Sequence, residues 1–344
     1  MTGNTIQDDR LVTSALAAAA ATAARHAPSI LNTQPWRWRV RPGRLELFAE
    51  ASRRLPATDP TGRSLTLSCG AALHHARVAL AAQGWSSTVR RLPDPTTPQL
   101  LATLGAANRV PVTTATRALL AAMRTRHTDR RPVAETPIPA AALHAILDAA
   151  AGHALIHVVS AEQLVDLAVA VEHATVVQAH DRRVCDELAY WSGPDAPTGT
   201  GLPAAVVPDH PAQTPVAGRD FGHPGTLTIR GGHDRAAVYA LLHGDNDRPE
   251  DWLRAGEALS MVWLRATELG VGVVPLSDVV EVHATRVALR RRLLAGLNYP
   301  YLVLRLGIPA NETDDPPHPP RLATDQVVHT DTADVGRDAH GDPR

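Results

Sequence analysis

From Leu11 to Ala27 the chain is a run of small, strongly helix-forming residues that stops at Pro28, whose ring pushes its predecessor out of the α region. A helix is predicted there. The period then changes to two: in "WRWRV", Trp36, Trp38 and Val40 alternate with Arg37 and Arg39, as on a half-buried strand. "RPGR" supplies a turn and "LELFAE" a return strand, and "STVRRLP" and "LLATLGA" predict two more. Further on, "TTATRALLAAMRTRH" and "AAALHAILDAAA" predict helices, "LIHVVS" an apolar strand, and the stretches 161–179 and 182–191 two more helices. "TLTIR", "AVYALLHG" and "YLVLRLGIP" read as strands, the last as a buried closing one, and the chain beyond Asn311 as a tail with little to pack.

Two apolar helices echo each other. "CGAALHHARVALAAQGW" from Cys69 and "AGEALSMVWLRATELGV" from Ala255 superpose without a gap, so that Gly70, Ala72, Leu73 and Gly84 fall on Gly256, Ala258, Leu259 and Gly270. Each closes on a glycine suited to a helix C-terminus. In the second, Trp252, Leu259, Val262, Trp263, Ala266 and Leu269 cover so much of the circumference that burial on several sides is required. Two alanine-rich helices can match by chance, so duplication and coincidence both stand until the flanking segments are read. Between the two lies a stretch at 192–225 rich in Pro, Gly and Asp, too long for a passive connection and expected to act as a covering loop.

Composition narrows the function. A chain of 344 residues with 44% apolar content and formal charge −1 is an ordinary globular protein, and without a basic stripe it is not expected to bind nucleic acid. All of its Lys+Arg content is arginine. The two cysteines, Cys69 and Cys185, form neither a disulfide framework nor a thiolate site, which points to a reducing cytoplasmic compartment. The run near the N-terminus follows a leader with Asp8 and Asp9 against Arg10, so it is read as a helix and not a signal peptide, and no stretch suits a membrane span. The histidines show no metal-ligand spacing, there is no Gly-x-Ser-x-Gly elbow, and no side chain stands out as a nucleophile.

Four segments together carry a resemblance. "APSILNTQPWRW" is similar to the PSxxNxQPW segment of the nitroreductase superfamily of FMN-binding oxidoreductases, and "RTRHTDRRPV" to that family's arginine-serine-arginine segment. "ATELGVGVVPLSD" resembles its helix-glycine-strand passage beside the flavin, and "HPPRL" its C-terminal phosphate-binding arginine. The arginine segment normally precedes PSxxNxQPW but here follows it by about a hundred residues, an order that resembles the Acg-type branch of actinobacteria, in which two nitroreductase-like halves are fused.

The resemblance implies an α+β nitroreductase-like fold, with a first half over residues 1–112, a second over 113–328 and a disordered tail at 329–344. One chain would imitate the family's homodimer, as a monomer acting as a pseudo-dimer. It implies one FMN per chain, because a reciprocal second set of motifs is missing. Pro28, Ser29, Ile30 and Asn32 would face the polar edge and ribityl chain; Arg126, Thr128 and Arg321 would hold the phosphate; Arg130 would stand at flavin N1–O2. Pro275, Leu276 and Ser277 would lie along the ring near N5, with Ser277-Asp278 where the family commonly has Glu-Gly. Arginine suits a buried dianion because its fork gives charge-assisted bonds of fixed geometry. The implied activity is NAD(P)H-dependent, ping-pong reduction of a small-molecule acceptor such as a nitroaromatic or quinone, with the chemistry borne by the flavin. The alternative is a flavin-sequestering protein whose 192–225 segment blocks the ring and which turns over little.

Overall fold

The computed structural model describes residues 3–310 and 318–330. Its elements follow the chain as α1 (Gly3–Ala24), β1 (Trp36–Arg41), β2 (Arg44–Ala49), α2 (Arg63–Ala82), β3 (Trp85–Arg91), β4 (Leu100–Arg109), α3 (Thr114–Thr125), α4 (Ala140–Asp148) and β5 (Leu155–Val158). Then come α5 (Ala161–His180), α6 (Arg182–Ser192), β6 (Val238–Gly244), α7 (Pro249–Glu268), β7 (Gly272–Leu276), α8 (Asp278–Glu281), α9 (His283–Arg292), β8 (Tyr299–Gly307), α10 (Thr324–Val327) and β9 (Val328–Thr330). The architecture is α+β. Among the described residues no helix is long and apolar enough to cross a membrane.

Among the described residues two sheets form, in the orders β3-β4-β2-β1-β9 and β5-β6-β8-β7. The first matches the alternation read in the sequence: Trp36, Trp38 and Val40 are buried and the arginines between them half-buried. Helices α2 and α7, the two that echo each other, pack between the sheets. Gly70 and Gly256 face one another there: a methyl group on Gly70 would overlap the Leu253 carbonyl, and one on Gly256 the Leu67 carbonyl. Leu67 and Leu253 correspond under the same gapless alignment, so the contact is reciprocal, as at a two-fold interface. His74 and Ser260, another corresponding pair, share a buried hydrogen bond of 2.8 Å.

Beside this crossing Glu257 is fully buried and is met by Arg77 and Arg91, each at 2.6 Å, with His153 at 3.7 Å. Burial alone would raise its pKa, but His153 and the two guanidiniums beside it hold it at about 2. Glu257→Gln is therefore expected to destabilise the fold by about 3–5 kcal/mol, because two arginines lose their buried counter-charge. A carboxylate held below its unfolded value contributes above pH 4.5, and that contribution fades as pH falls through about 2. Urea unfolding should thus show a constant gap between variant and parent near neutrality that narrows below pH 4.5; a gap independent of pH would refute the assignment.

Two expectations are corrected and one is met with a detail added. "TLTIR" is not a strand: only Leu227 bridges to Pro208, and the next donor, the Ile229 N–H, goes to the Asp209 side chain, so no ladder propagates. "LIHVVS" is the strand expected, and β5 lies at a sheet edge with Leu155 and Val158 exposed. The C-terminal stretch is not an idle tail: Leu322 and Val327 are buried and β9 pairs in parallel with β1, through Thr330. Residues 331–344 of the expected tail lie outside the described residues.

Candidate functional site

Between the crossing helices, β7 and the irregular chain after α6 lies a cavity of about 700 Å³. Pro28, Ser29, Ile30, Asn32, Arg126, Thr128, Arg130, Pro275, Leu276, Ser277 and Arg321 all line it, so the folded chain brings the whole sequence-derived set together.

The turn after α1 is held in a costly backbone shape. Leu31, Asn32 and Gln34 have φ of 44°, 53° and 48°, in the left-handed region that non-glycine residues seldom adopt. Side chains hold it there. The Ser29 hydroxyl accepts from the Gln34 N–H at 2.9 Å, and Gln34 donates to the Gly199 carbonyl at 2.7 Å and accepts from the Leu322 N–H at 3.0 Å. Asn32 donates to the carbonyls of Gly201 and Pro320 and accepts from Arg321 Nη1 at 2.9 Å. Both ends of its amide are thus engaged within the protein. Asn32, read as a cofactor contact, is in this structure a positioning residue that ties the turn to Arg321 and to the covering chain.

At one end of the cavity cations gather without counter-charges. Among the described residues no carboxylate pairs with Arg126 or Arg321, and the Nε atoms of both, with that of Arg25, are buried and unpartnered. Burial, then the neighbouring guanidinium, pulls Arg126 down to about 9 and Arg321 to about 10. His26 beside them is lowered to about 4 by burial and by Arg321, Arg25, Arg124 and Arg126. Arg126 lies over the Trp263 ring at 4.4 Å, which fixes its plane. Desolvated like charges repel, so this arrangement is complementary to a buried anion with several acceptor oxygens.

The middle of the cavity holds Arg130 and Arg305. Arg130 Nη1 donates to the Val206 carbonyl at 2.9 Å, and Arg305 is anchored on Asp234 at 2.7 Å. Beyond them is the β7–α8 turn, where Ser277 faces the cavity and Asp278 is buried with both carboxyl oxygens unpartnered, its pKa raised chiefly by burial.

One wall is the covering segment. From Gly193 to Ala237 the chain forms no strand and only one short 3₁₀ turn, at Ala204–Val206. It has a small core of its own, in which Leu202, Val206, Val207 and Phe221 pack on Leu31, Leu55 and Trp191. Its start is anchored by Glu187 of α6, which accepts from Ala57 N–H, Thr58 N–H and the Thr58 hydroxyl at 3.0, 2.9 and 2.7 Å. Sequence reading missed Ser68, whose hydroxyl accepts from the Ile30 N–H at 3.2 Å, as well as Trp263, Arg305 and Arg219. The echo between α2 and α7 was the signal for the first two, since both lie on those helices. Nothing local marked the other two.

No family model matches the chain. A Mycobacterium tuberculosis protein named "Putative NAD(P)H nitroreductase Rv3131" is 40% identical over 311 residues, 89% of each chain. Another from the same organism, "Putative NAD(P)H nitroreductase acg", is 34% identical over 95% of this chain and 99% of its own length. A solved structure entitled FMN and NADPH-dependent nitroreductase NfnB, from Sphigopyxis, is 18% identical over 61% of this chain and 97% of its own, with a TM-score of 0.38, a likeness too slight to carry an argument. The protein belongs to the nitroreductase superfamily, and its α+β architecture is that of a nitroreductase-like fold.

Proposed function

We propose that this protein is an FMN-dependent NAD(P)H oxidoreductase that binds one FMN per chain and reduces nitroaromatic or quinone-type acceptors in a ping-pong cycle. The observation that carries the reading is the group of buried guanidiniums, Arg126 and Arg321 with Arg25 nearby, unpaired by any described carboxylate and set beside the strained 28–34 turn. These would hold the phosphate, with Thr128 beside them. Pro28, Ser29 and Ile30 would line the polar edge and Arg130 the N1–O2 side, while Pro275, Leu276 and Ser277 would lie along the ring. Bound FMN would supply hydride and electron transfer; the chain would supply orientation, exclusion of water by the covering segment, and positive charge where the ring becomes electron-rich.

The 1–112 and 113–328 halves are read as two nitroreductase-like units acting as one pseudo-dimer in a monomer. The reciprocal glycine crossing supports this reading. A single cofactor per chain is supported by the fate of Arg77: it corresponds to the cavity-lining Trp263 under the echo, and it is engaged by Glu257.

The covering segment favours a second reading, flavin sequestration with little turnover, because its own packing and its bonds to Asn32, Gln34 and Arg130 close the cavity on one side. Anaerobic titration separates the two. Under the first, purified protein carries about one FMN per chain that NADPH or NADH bleaches rapidly and a nitroaromatic or quinone restores. Under the second, dithionite bleaches the flavin and neither nucleotide does. A chain that takes up no FMN on reconstitution refutes both.

A further inference from the structure

The covering segment carries a cation that no motif assigns. Arg219 reaches from it to the β7–α8 turn, where Nη2 donates to the Ser277 hydroxyl at 3.1 Å and to Glu281 at 2.5 Å. The side chain is only 10% exposed, and Arg219 and Ser277 both line the cavity. The other terminal nitrogen, Nη1, is buried and has no partner. A buried donor left unsatisfied costs about 1–3 kcal/mol, so a guanidinium clamped through one nitrogen with the other bare is matched to an occupant that offers an acceptor.

We propose that Arg219 Nη1 donates to the ring carbonyl oxygen next to N5 of a flavin bound along Pro275–Ser277, so that the closed covering segment holds reduced flavin more tightly than oxidised. This rests on the FMN reading above. Reduction adds two electrons to the ring and turns N5 from an acceptor into an N–H donor, so the gain falls on the neighbouring carbonyl oxygen, whose bond to the guanidinium strengthens as the ring becomes electron-rich. Because linkage is reciprocal, reduction of the flavin in turn tightens the segment over the cavity. Arg219 is thus the residue through which closure and redox state are coupled.

The test uses the full chain loaded with FMN, comparing the parent with Arg219→Met and Glu281→Gln. Two quantities are read: the midpoint potential of the bound flavin, and the rate of limited proteolysis within 199–225 in the oxidised and dithionite-reduced states. Arg219→Met is expected to weaken reduced FMN about tenfold more than oxidised FMN, which lowers the two-electron potential by about 30 mV. It should also abolish the protection from proteolysis that reduction confers on the parent. Glu281→Gln removes the clamp's counter-charge but keeps Nη1, and should retain both effects. Should Arg219→Met fold poorly, Arg219→Gln carries the same measurement, since its amide still reaches for Ser277 without the charge. If the variant loosens the segment equally in both redox states and leaves the potential unmoved, Arg219 is only a strap and the proposal is overturned. A parent protein that takes up no FMN overturns the proposed function and this inference together, whereas one that binds FMN with an unmoved potential overturns this inference alone.

Discussion

Gly256→Ala is expected to lower the stability of the fold by about 3 kcal/mol or more, at the upper end of what overpacking costs. In an exposed helix the same change would stabilise by up to about 1 kcal/mol, since alanine is the better helix former. Here the sign reverses. The added methyl would overlap the Leu67 carbonyl oxygen and stand 2.8 Å from the Gly70 α-carbon, and both obstacles are backbone that no rotamer change can move. Relief requires α2 and α7 to separate, and these helices carry the buried Glu257 cluster and supply Leu67, Ser68, Leu259 and Trp263 to the cavity. Loss of stability and loss of ligand binding should therefore appear together. Urea unfolding compared with Gly218→Ala, where a methyl meets nothing within 4 Å, decides the matter. If both variants fall within about 0.5 kcal/mol of the parent, the close crossing is not what holds the two sheets together.

Arg126→Ala is expected to act in the opposite sense on the empty protein and on the loaded one. Without a ligand, Arg126 is buried beside Arg321 with no carboxylate partner among the described residues, so its removal relieves repulsion and desolvation and should leave thermal stability unchanged or raised. With FMN, the variant lacks charge-assisted bonds to the phosphate worth about 2–3 kcal/mol, and affinity should fall by roughly 30- to 150-fold. Fluorescence-quenching titrations with FMN and with riboflavin separate a phosphate contact from a general defect, since riboflavin lacks the phosphate and should bind both proteins alike. An equal loss for both ligands would move Arg126 away from the phosphate.

The order of elements was legible from the chain because it rests on local rules. The alternation from Trp36 to Val40 depends only on one side of a sheet being dry, and the proline after Ala27 stops a helix wherever it lies. The assignment weakened where partners decide. "TLTIR" has the composition of a strand, but only Leu227 finds a bridge partner and the next inward N–H, that of Ile229, is captured by the Asp209 side chain, so its two apolar side chains are buried without a sheet. The positions from His318 to Val327 look idle because proline-rich sequence predicts nothing to pack against; Leu322 and Val327 are nonetheless buried in the core that holds Trp36, Trp38 and Val40, nearly three hundred residues away in sequence.

The same division runs through the candidate site. By itself the sequence determined which residue types the site would contain: a proline-serine turn, an amide, a set of arginines and a glycine-marked helix pair, which suffice to specify buried anion chemistry and a family. The tertiary structure decided which atoms remain free to meet a ligand. Asn32 carries an amide apt for a cofactor, yet the fold turns both ends of it onto Gly201, Pro320 and Arg321. Arg219 sits in an irregular loop with no motif around it, yet the fold leaves one of its nitrogens buried and bare. The physical reason is that a side chain's donors and acceptors are set by its chemistry, whereas whether they are already satisfied depends on groups brought up from distant parts of the chain.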